Sequence, residues 1–247
     1  QKSLQLDPNN AAAHYNLGSA LYKQGKLEEA IAAYQKSLQV DPNEAYAHIN
    51  LGSALYDQGK LEEAIAAYQK SLQLDPNNAN AHFALGLALY NQGKLEEAIA
   101  AYQKSLQLDP NNANTHFGLG LALYKQGKLE EAIAAYQQAL RLDPNLAIAH
   151  YKLGLALSDQ GKLSEAIAAY QQALRLDPNL AIAHYNLGRA LYDQGKLSEA
   201  IAELEIAVRL DPTNTLFRDN LEICRNNKNL QTVRNKKKNF WGRLFGE

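Results

Sequence analysis

Residues 81–110 read AHFALGLALYNQGKLEEAIAAYQKSLQLDP, and this stretch decides the fold. Before Gly93, the residues His82, Leu85, Gly86 and Leu89 fall at i, i+3, i+4 and i+7, one face of a helix. After it, Leu95, Ala98, Ile99, Tyr102 and Leu106 keep the same spacing. Gly93 is free to take the φ > 0 conformation that closes a helix, and Pro110 cannot extend the second one. Asn112 offers an N-cap oxygen to the next helix. The stretch is a helical hairpin, with Gly86 expected where the first helix approaches Ala98 of the second.

Outward from this hairpin the wording recurs. All seven prolines sit in Asp-Pro pairs, at Pro8, Pro42, Pro76, Pro110, Pro144, Pro178 and Pro212, always 34 residues apart. Gly18, Gly52, Gly86, Gly120, Gly154 and Gly188 form one series, and Gly25, Gly59, Gly93, Gly127, Gly161 and Gly195 another. A fixed period of this length specifies a stacked array of hairpins rather than a single globule.

The series His82, Leu85, Gly86, Leu89, Ala98, Tyr102, Ser105 and Pro110 resembles the tetratricopeptide repeat. Six units match, starting near Ala11, Ala45, Ala79, Ala113, Ala147 and Ala181. Two departures stand out: His replaces the common Trp in every first helix, and Leu204 replaces the last tyrosine. The resemblance implies an all-α fold, a right-handed α-solenoid (superhelix) of tetratricopeptide helix-turn-helix repeats. Its first helices would line a concave channel.

Residues 1–8 repeat the end of a second helix, so they are expected to close a truncated preceding repeat, with the six units at 9–212. Methionine is absent even at residue 1, which predicts a piece of a longer protein. Residues 213–226 begin like a first helix but carry Arg218 and Glu222 in place of His and Gly, as expected of the polar helix that caps an array. Cys224 lies there as a small buried or half-buried filler, and one cysteine builds neither a disulfide framework nor a thiolate metal site. No apolar run approaches the roughly 20 residues that span a bilayer. The expected setting is cytoplasmic, with the tail able to lie at the inner face of a membrane.

No catalytic constellation is legible, and neither enzyme activity nor a cofactor is expected. The six histidines, His14, His48, His82, His116, His150 and His184, share one place in their units. Adjacent packed helices lie about 10 Å apart, whereas a metal needs donors at about 2 Å, so packing is preferred to a metal ladder. The acidic pairs that open the second helices, such as Glu62/Glu63 and Glu96/Glu97, read as solvated helix starts suited to the helix dipole.

Where the units differ, binding is expected. The first-helix stripe comprises Tyr15, Ile49, Phe83, Phe117, Tyr151 and Tyr185, then Asn16, Asn50, Ala84, Gly118, Lys152 and Asn186. It continues through Ser19, Ser53, Leu87, Leu121, Leu155 and Arg189, and is joined by Tyr22, Tyr56, Tyr90, Tyr124 and Tyr192. Asparagines can hold a peptide backbone, as in similar repeats, while Ala84 and Gly118 would leave room for a ligand's apolar side chain between Phe83, Phe117, Leu87 and Leu121. The expected partner is a protein or peptide with bulky apolar anchors. Helix-on-helix packing is the competing role for these aromatics. The family's clamp for a terminal carboxylate is not expected, because Tyr, Ile or Phe stands where its first lysine belongs. A regulatory or targeting region of a larger enzyme is the alternative reading.

From Arg225 onward seven basic residues face the single acid Glu247, leaving 18 basic and 25 acidic residues in the rest. Residues 227–238 are expected to be a basic flexible linker and 239–247 a short amphipathic aromatic tail. Lys236, Lys237 and Lys238 precede Phe240, Trp241, Leu244 and Phe245, which fall within an arc of about 140° on a helix, with Arg243 opposite. The tail resembles the C-terminal membrane-targeting sequence of bacterial Min-system ATPases, which implies an anionic membrane surface as a partner. Docking on another protein, or self-association by insertion into a neighbouring copy's groove, stays open beside it. Nucleic acid is not an expected partner, because the body is acidic.

Overall fold

The computed structural model describes residues 9–245, with side chains for 9–233. Within them are thirteen helices and no strand. The chain divides into two compact units, Gln1–Lys128 and Leu129–Glu247. The first holds α1 (Ala11–Lys23), α2 (Leu27–Val40), α3 (Ala45–Asp57), α4 (Leu61–Leu74), α5 (Ala79–Asn91), α6 (Leu95–Leu108) and α7 (Ala113–Lys125). The second holds α8 (Leu129–Leu142), α9 (Ala147–Asp159), α10 (Leu163–Leu176), α11 (Ala181–Asp193), α12 (Leu197–Leu210) and α13 (Thr215–Phe245). In each unit every helix packs against the next in sequence, and first helices of successive hairpins also touch.

Local chemistry sets these boundaries. Asn10, Asn78 and Asn112 cap α1, α5 and α7, accepting from Ala13 N (2.8 Å), Ala81 N and Thr115 N (3.0 Å each). The first helices end on glycines with φ between +74° and +83°. At Gly25 the amide donates to Tyr22 O while Lys26 N donates to Leu21 O, the paired bonds of a Schellman turn. The second helices stop at Asp-Pro, where proline forces the preceding aspartate out of the α region; Asp41 has φ −129° and ψ 94°. Its carboxylate then accepts from Asn43 N, a turn repeated at Asp75, Asp109, Asp143 and Asp177.

The core follows from the repeated Gly and Tyr. Tyr34, Tyr68 and Tyr102 are buried, each against a first-helix glycine. A Cβ on Gly86 would lie 2.8 Å from the Tyr102 ring, so this glycine makes room for Tyr102 rather than for Ala98. The second unit repeats the arrangement with Tyr170 on Gly154. Leu204, which replaces the last tyrosine, sits over Gly188, and its core is completed by Phe217, Leu221 and Cys224 of α13. Phe217 stacks on Tyr185 at 4.8 Å. Arg218 and Glu222 are exposed.

The stretch 227–238 differs from the expected flexible linker: α13 is one continuous helix from Thr215 to Phe245. Polarity predicts a loop, but no proline or glycine occurs between Thr213 and Trp241, so nothing breaks the helix. Among the described residues no helix is long and apolar enough to cross a membrane.

Candidate functional site

In the first unit the variable first-helix residues divide by what they touch. Tyr15, Ile49, Phe83, Phe117, Leu87 and Leu121 are half-buried, neither sealed in the core nor fully exposed. Two of their rings lean on second-helix tyrosines: Tyr15 on Tyr34 and Phe83 on Tyr102, with centroids 6.0 Å apart in both pairs. Tyr15 also lines, with Ala11, Ala12 and Tyr46, a cleft of about 320 Å³.

Many polar residues of the stripe have partners within the protein. Asn50 Nδ2 donates to the Tyr15 hydroxyl at 2.9 Å. Ser19 and Ser53 accept from the buried Tyr34 and Tyr68 hydroxyls at 3.2 and 3.3 Å. Burial pushes the Tyr68 phenol up to about 12. Tyr22 donates to Asp57 at 2.5 Å, and burial together with that carboxylate raises it to about 12. Asn91 donates to the Tyr56 hydroxyl, and the Lys125 ammonium lies 5.2 Å from the centre of the Tyr90 ring. Asn16 is exposed and Tyr124 half-buried.

These contacts explain a coupling between neighbouring hairpins. Where a first helix offers a tyrosine hydroxyl, at Tyr15, the residue 35 positions on is Asn50; where it offers Ile49 or Phe83, that residue is Ala84 or Gly118. The gap at Gly118 is not ligand space. A Cβ there would lie 2.8 Å from Tyr102 Cζ, so Gly118 accommodates the far end of that ring. Two glycines, one before and one after in the stack, bracket Tyr102.

In the second unit Tyr151 and Tyr185 are buried, which withdraws both rings from the surface where the sequence places them. Asn186 Nδ2 donates to Tyr151 Oη at 3.2 Å, the same 35-residue pairing. Lys152 stands over the Tyr151 ring at 5.4 Å and Arg189 over Tyr185 at 5.9 Å, so the cations cover the aromatics. Leu155 is half-buried, and Tyr192 accepts from Asn227 Nδ2.

The second residue of each first helix escaped the sequence-based expectation. Tyr46 is 60% exposed, Ile148 42%, Ile182 36% and Leu216 52%. A signal was present, because this register varies through Ala12, Tyr46, Asn80, Asn114, Ile148 and Ile182 while its neighbours repeat. The histidines take a specific role. His48, His82, His116 and His150 each place Nε2 3.0 Å from the carbonyl of the proline six residues earlier, and His184 does so at 3.1 Å. They tie each helix start to the preceding turn, and His184 Nδ1 also meets Glu203 at 2.6 Å. The helix-opening acids are likewise engaged. Gln92, Gln126 and Gln160 donate to Glu62, Glu96 and Glu130, whose carboxyls are held low by their own backbone amides first and by these glutamines second.

The tail residues Lys236, Lys237, Lys238, Phe240, Trp241, Arg243, Leu244 and Phe245 lie on the α13 backbone, and their side chains are outside the described residues.

The sequence matches the family described as cilia and flagella-associated protein 70 C-terminal domain over residues 2–215. Among solved structures, YrrB, described as a TPR protein with an unusual peptide-binding site, is similar at TM-score 0.67 and 27% identity, covering 77% of this chain and 98% of that one. MamA is similar at TM-score 0.63 and 30% identity, covering 66% of this chain and 95% of its own. PilF of Pseudomonas aeruginosa, at TM-score 0.74 and 23% identity, covers 85% of this chain and 95% of its own and shares the fold. No curated protein matches the sequence.

Proposed function

The chain belongs to the tetratricopeptide family of the cilia and flagella-associated protein 70 C-terminal domain, and from that premise we propose a non-catalytic scaffold that binds protein segments on its first-helix faces. One observation carries the reading. The core is filled by residues that repeat, such as Leu89, Ala98 and Tyr102, whereas Phe83, Leu87, Phe117 and Leu121, at registers that vary from hairpin to hairpin, stay half-buried beside solvent. Apolar surface left there gains about 1.5–3 kcal/mol for each partner side chain buried on it, before ordering costs. The partner is a peptide or helix with apolar anchors. That YrrB is described as having a peptide-binding site supports this reading.

The test is selection of binding peptides from a displayed library with the whole chain, followed by the double variant Phe83→Glu, Leu121→Glu. The expected result is loss of the selected peptides with helicity retained. Undiminished binding by the double variant refutes the assignment of this face.

The C-terminal tail is a second attachment point in this reading. The unbroken backbone of α13 favours it, since it carries Phe240, Trp241, Leu244 and Phe245 on a helix, as a surface-lying amphipathic segment requires. Vesicle flotation separates the outcomes: the intact chain should float with anionic lipid and a chain ending at Asn235 should not. Equal flotation removes the membrane role.

A further inference from the structure

We infer that a second copy of this chain covers the outer face of α13, the two helices running antiparallel about a twofold axis near Lys228. The inference goes beyond the scaffold reading and does not rest on it. Among the described elements α13 packs only on α12 and α11, through Phe217, Leu221 and Cys224. Roughly opposite that buried side, Leu216, Ile223, Leu230 and Val233 fall within an arc of about 100°. They are 52%, 51%, 59% and 50% exposed, so half of the large exposed hydrophobics among the described residues lie on one side of one helix. The earlier first helices end at a glycine turn, as α11 does after Asp193, whereas α13 runs past the equivalent Asn227 for about five more turns. A helix that leaves its stack gains little from propensity alone and needs its apolar face packed.

Spacing and charge choose the occupant. Leu216, Ile223 and Leu230 recur every seven residues and Val233 stands three after Leu230, the a and d positions of a coiled-coil seam. Asp219 falls inside the same arc and Glu222 beside it, with Asp211 in the turn before the helix. Arg218 lies further round, and Arg225 is paired with Glu205 at 2.7 Å. From Lys228 to Phe245 every charged residue is basic, and Arg234 and Lys237 hold register positions at the edge of the stripe and within it on the α13 backbone.

Parallel helices would set Arg234 and Lys237 against themselves and crowd both copies' hairpins at one end. Antiparallel helices centred near Lys228 set Asp219 opposite Lys237 and Glu222 opposite Arg234. The same register sets Ile223 opposite Val233 and Leu216 opposite Phe240, so apolar and charged positions agree on one alignment. The overlap, residues 216–240, is about three and a half heptads, the length from which a heptad pattern signals a coiled coil. Residues 241–245 lie outside the overlap and stay available to the second attachment.

The experiment is sedimentation equilibrium of the full chain, whose protomer mass is 27.3 kDa. A reversible dimer of twice that mass is expected. Ile223→Asp combined with Val233→Asp should leave a monomer with the helicity of the hairpins retained, since both side chains lie outside the core. Asp219→Lys should weaken the dimer about tenfold or more, because two ion pairs per dimer turn repulsive, and adding Lys237→Asp should restore it. A parent chain that stays monomeric overturns the inference, and flotation of that monomer with anionic vesicles would assign the stripe to lipid. A dimer that survives Ile223→Asp with Val233→Asp lies elsewhere on the molecule and overturns it as well. An Asp219→Lys dimer as tight as the parent's, or one that Lys237→Asp does not rescue, refutes the antiparallel pairing.

Discussion

Replacing Gly118 with asparagine tests what the gap in the fourth first helix is for. Asparagine occupies this register at Asn16, Asn50 and Asn186, so the helix itself tolerates it. On helix propensity alone the change gains roughly 0.3 kcal/mol. Against that, the new Cβ would lie 2.8 Å from Tyr102 Cζ and 2.9 Å from Cε1. Tyr102 is 1% exposed, and its other edge already rests on Gly86, where a Cβ would also approach to 2.8 Å. The ring must shift toward the placement that its counterparts Tyr34 and Tyr68 take beside Asn50 and Ala84, and overpacking of about 1–3 kcal/mol while its neighbours adjust outweighs the propensity gain. For a chain of this size that corresponds to a fall in melting temperature of several degrees, roughly 2–4 °C for each kcal/mol. Thermal unfolding followed by circular dichroism reads the global effect, and amide exchange in α6 reads it locally. Ala84→Asn is the control and should cost only its helix propensity, roughly 0.6 kcal/mol. A Gly118→Asn protein as stable as the parent would refute the reasoning. The gap would then be free space, available to a ligand as the sequence first implies.

Three further outcomes are expected. Ile49→Tyr combined with Ala84→Asn should recreate the Tyr15–Asn50 pair, with a double-mutant coupling of about 0.5–1.5 kcal/mol measured by denaturant unfolding. Gly93→Ala should destabilise by roughly 1–2 kcal/mol, because φ +83° is costly for a residue with a Cβ although nothing lies within 4 Å; a neutral result in the same assay argues against the Schellman turn. Burial raises the Tyr68 phenol from 10.0 to about 12, so the stability its neutral form contributes is complete below pH 10 and lost as pH climbs through about 12. Absorbance of tyrosinate should therefore rise together with loss of helical signal, and ionisation of every tyrosine at pH 10 with the helices intact would contradict the burial.

Much of the hairpin is written in single residues. Gly25 and its equivalents must turn the chain, Asp-Pro must stop it, and Asn10, Asn78 and Asn112 must cap the next helix. Each acts through its own backbone or its immediate neighbours, and so is visible in one stretch of sequence. The candidate site was less legible because its residues act across hairpins. Gly118 looks like an empty place until Tyr102 of the preceding hairpin is seen to fill it. Asn50 and Ser53 look like ligand contacts until the Tyr15 and Tyr68 hydroxyls reach them. Tyr151 and Tyr185 share a register with Tyr15, but they lie buried beneath Lys152 and Arg189, and Phe217 of α13 stacks on Tyr185. Residues 227–238 misled in the other direction: their polarity suits a loop, yet a helix needs only the absence of breakers and a start already anchored by Phe217 and Leu221.

Site-specific photocrosslinking with a library-selected peptide asks most directly whether partners use the first-helix faces. A photoreactive residue in place of Leu87 or Leu121 should capture the peptide, while one in place of the exposed second-helix residues Gln103 or Gln137 should not. Capture from Gln103 and Gln137 with none from Leu87 and Leu121 would place the binding surface on the second helices and contradict the proposed function.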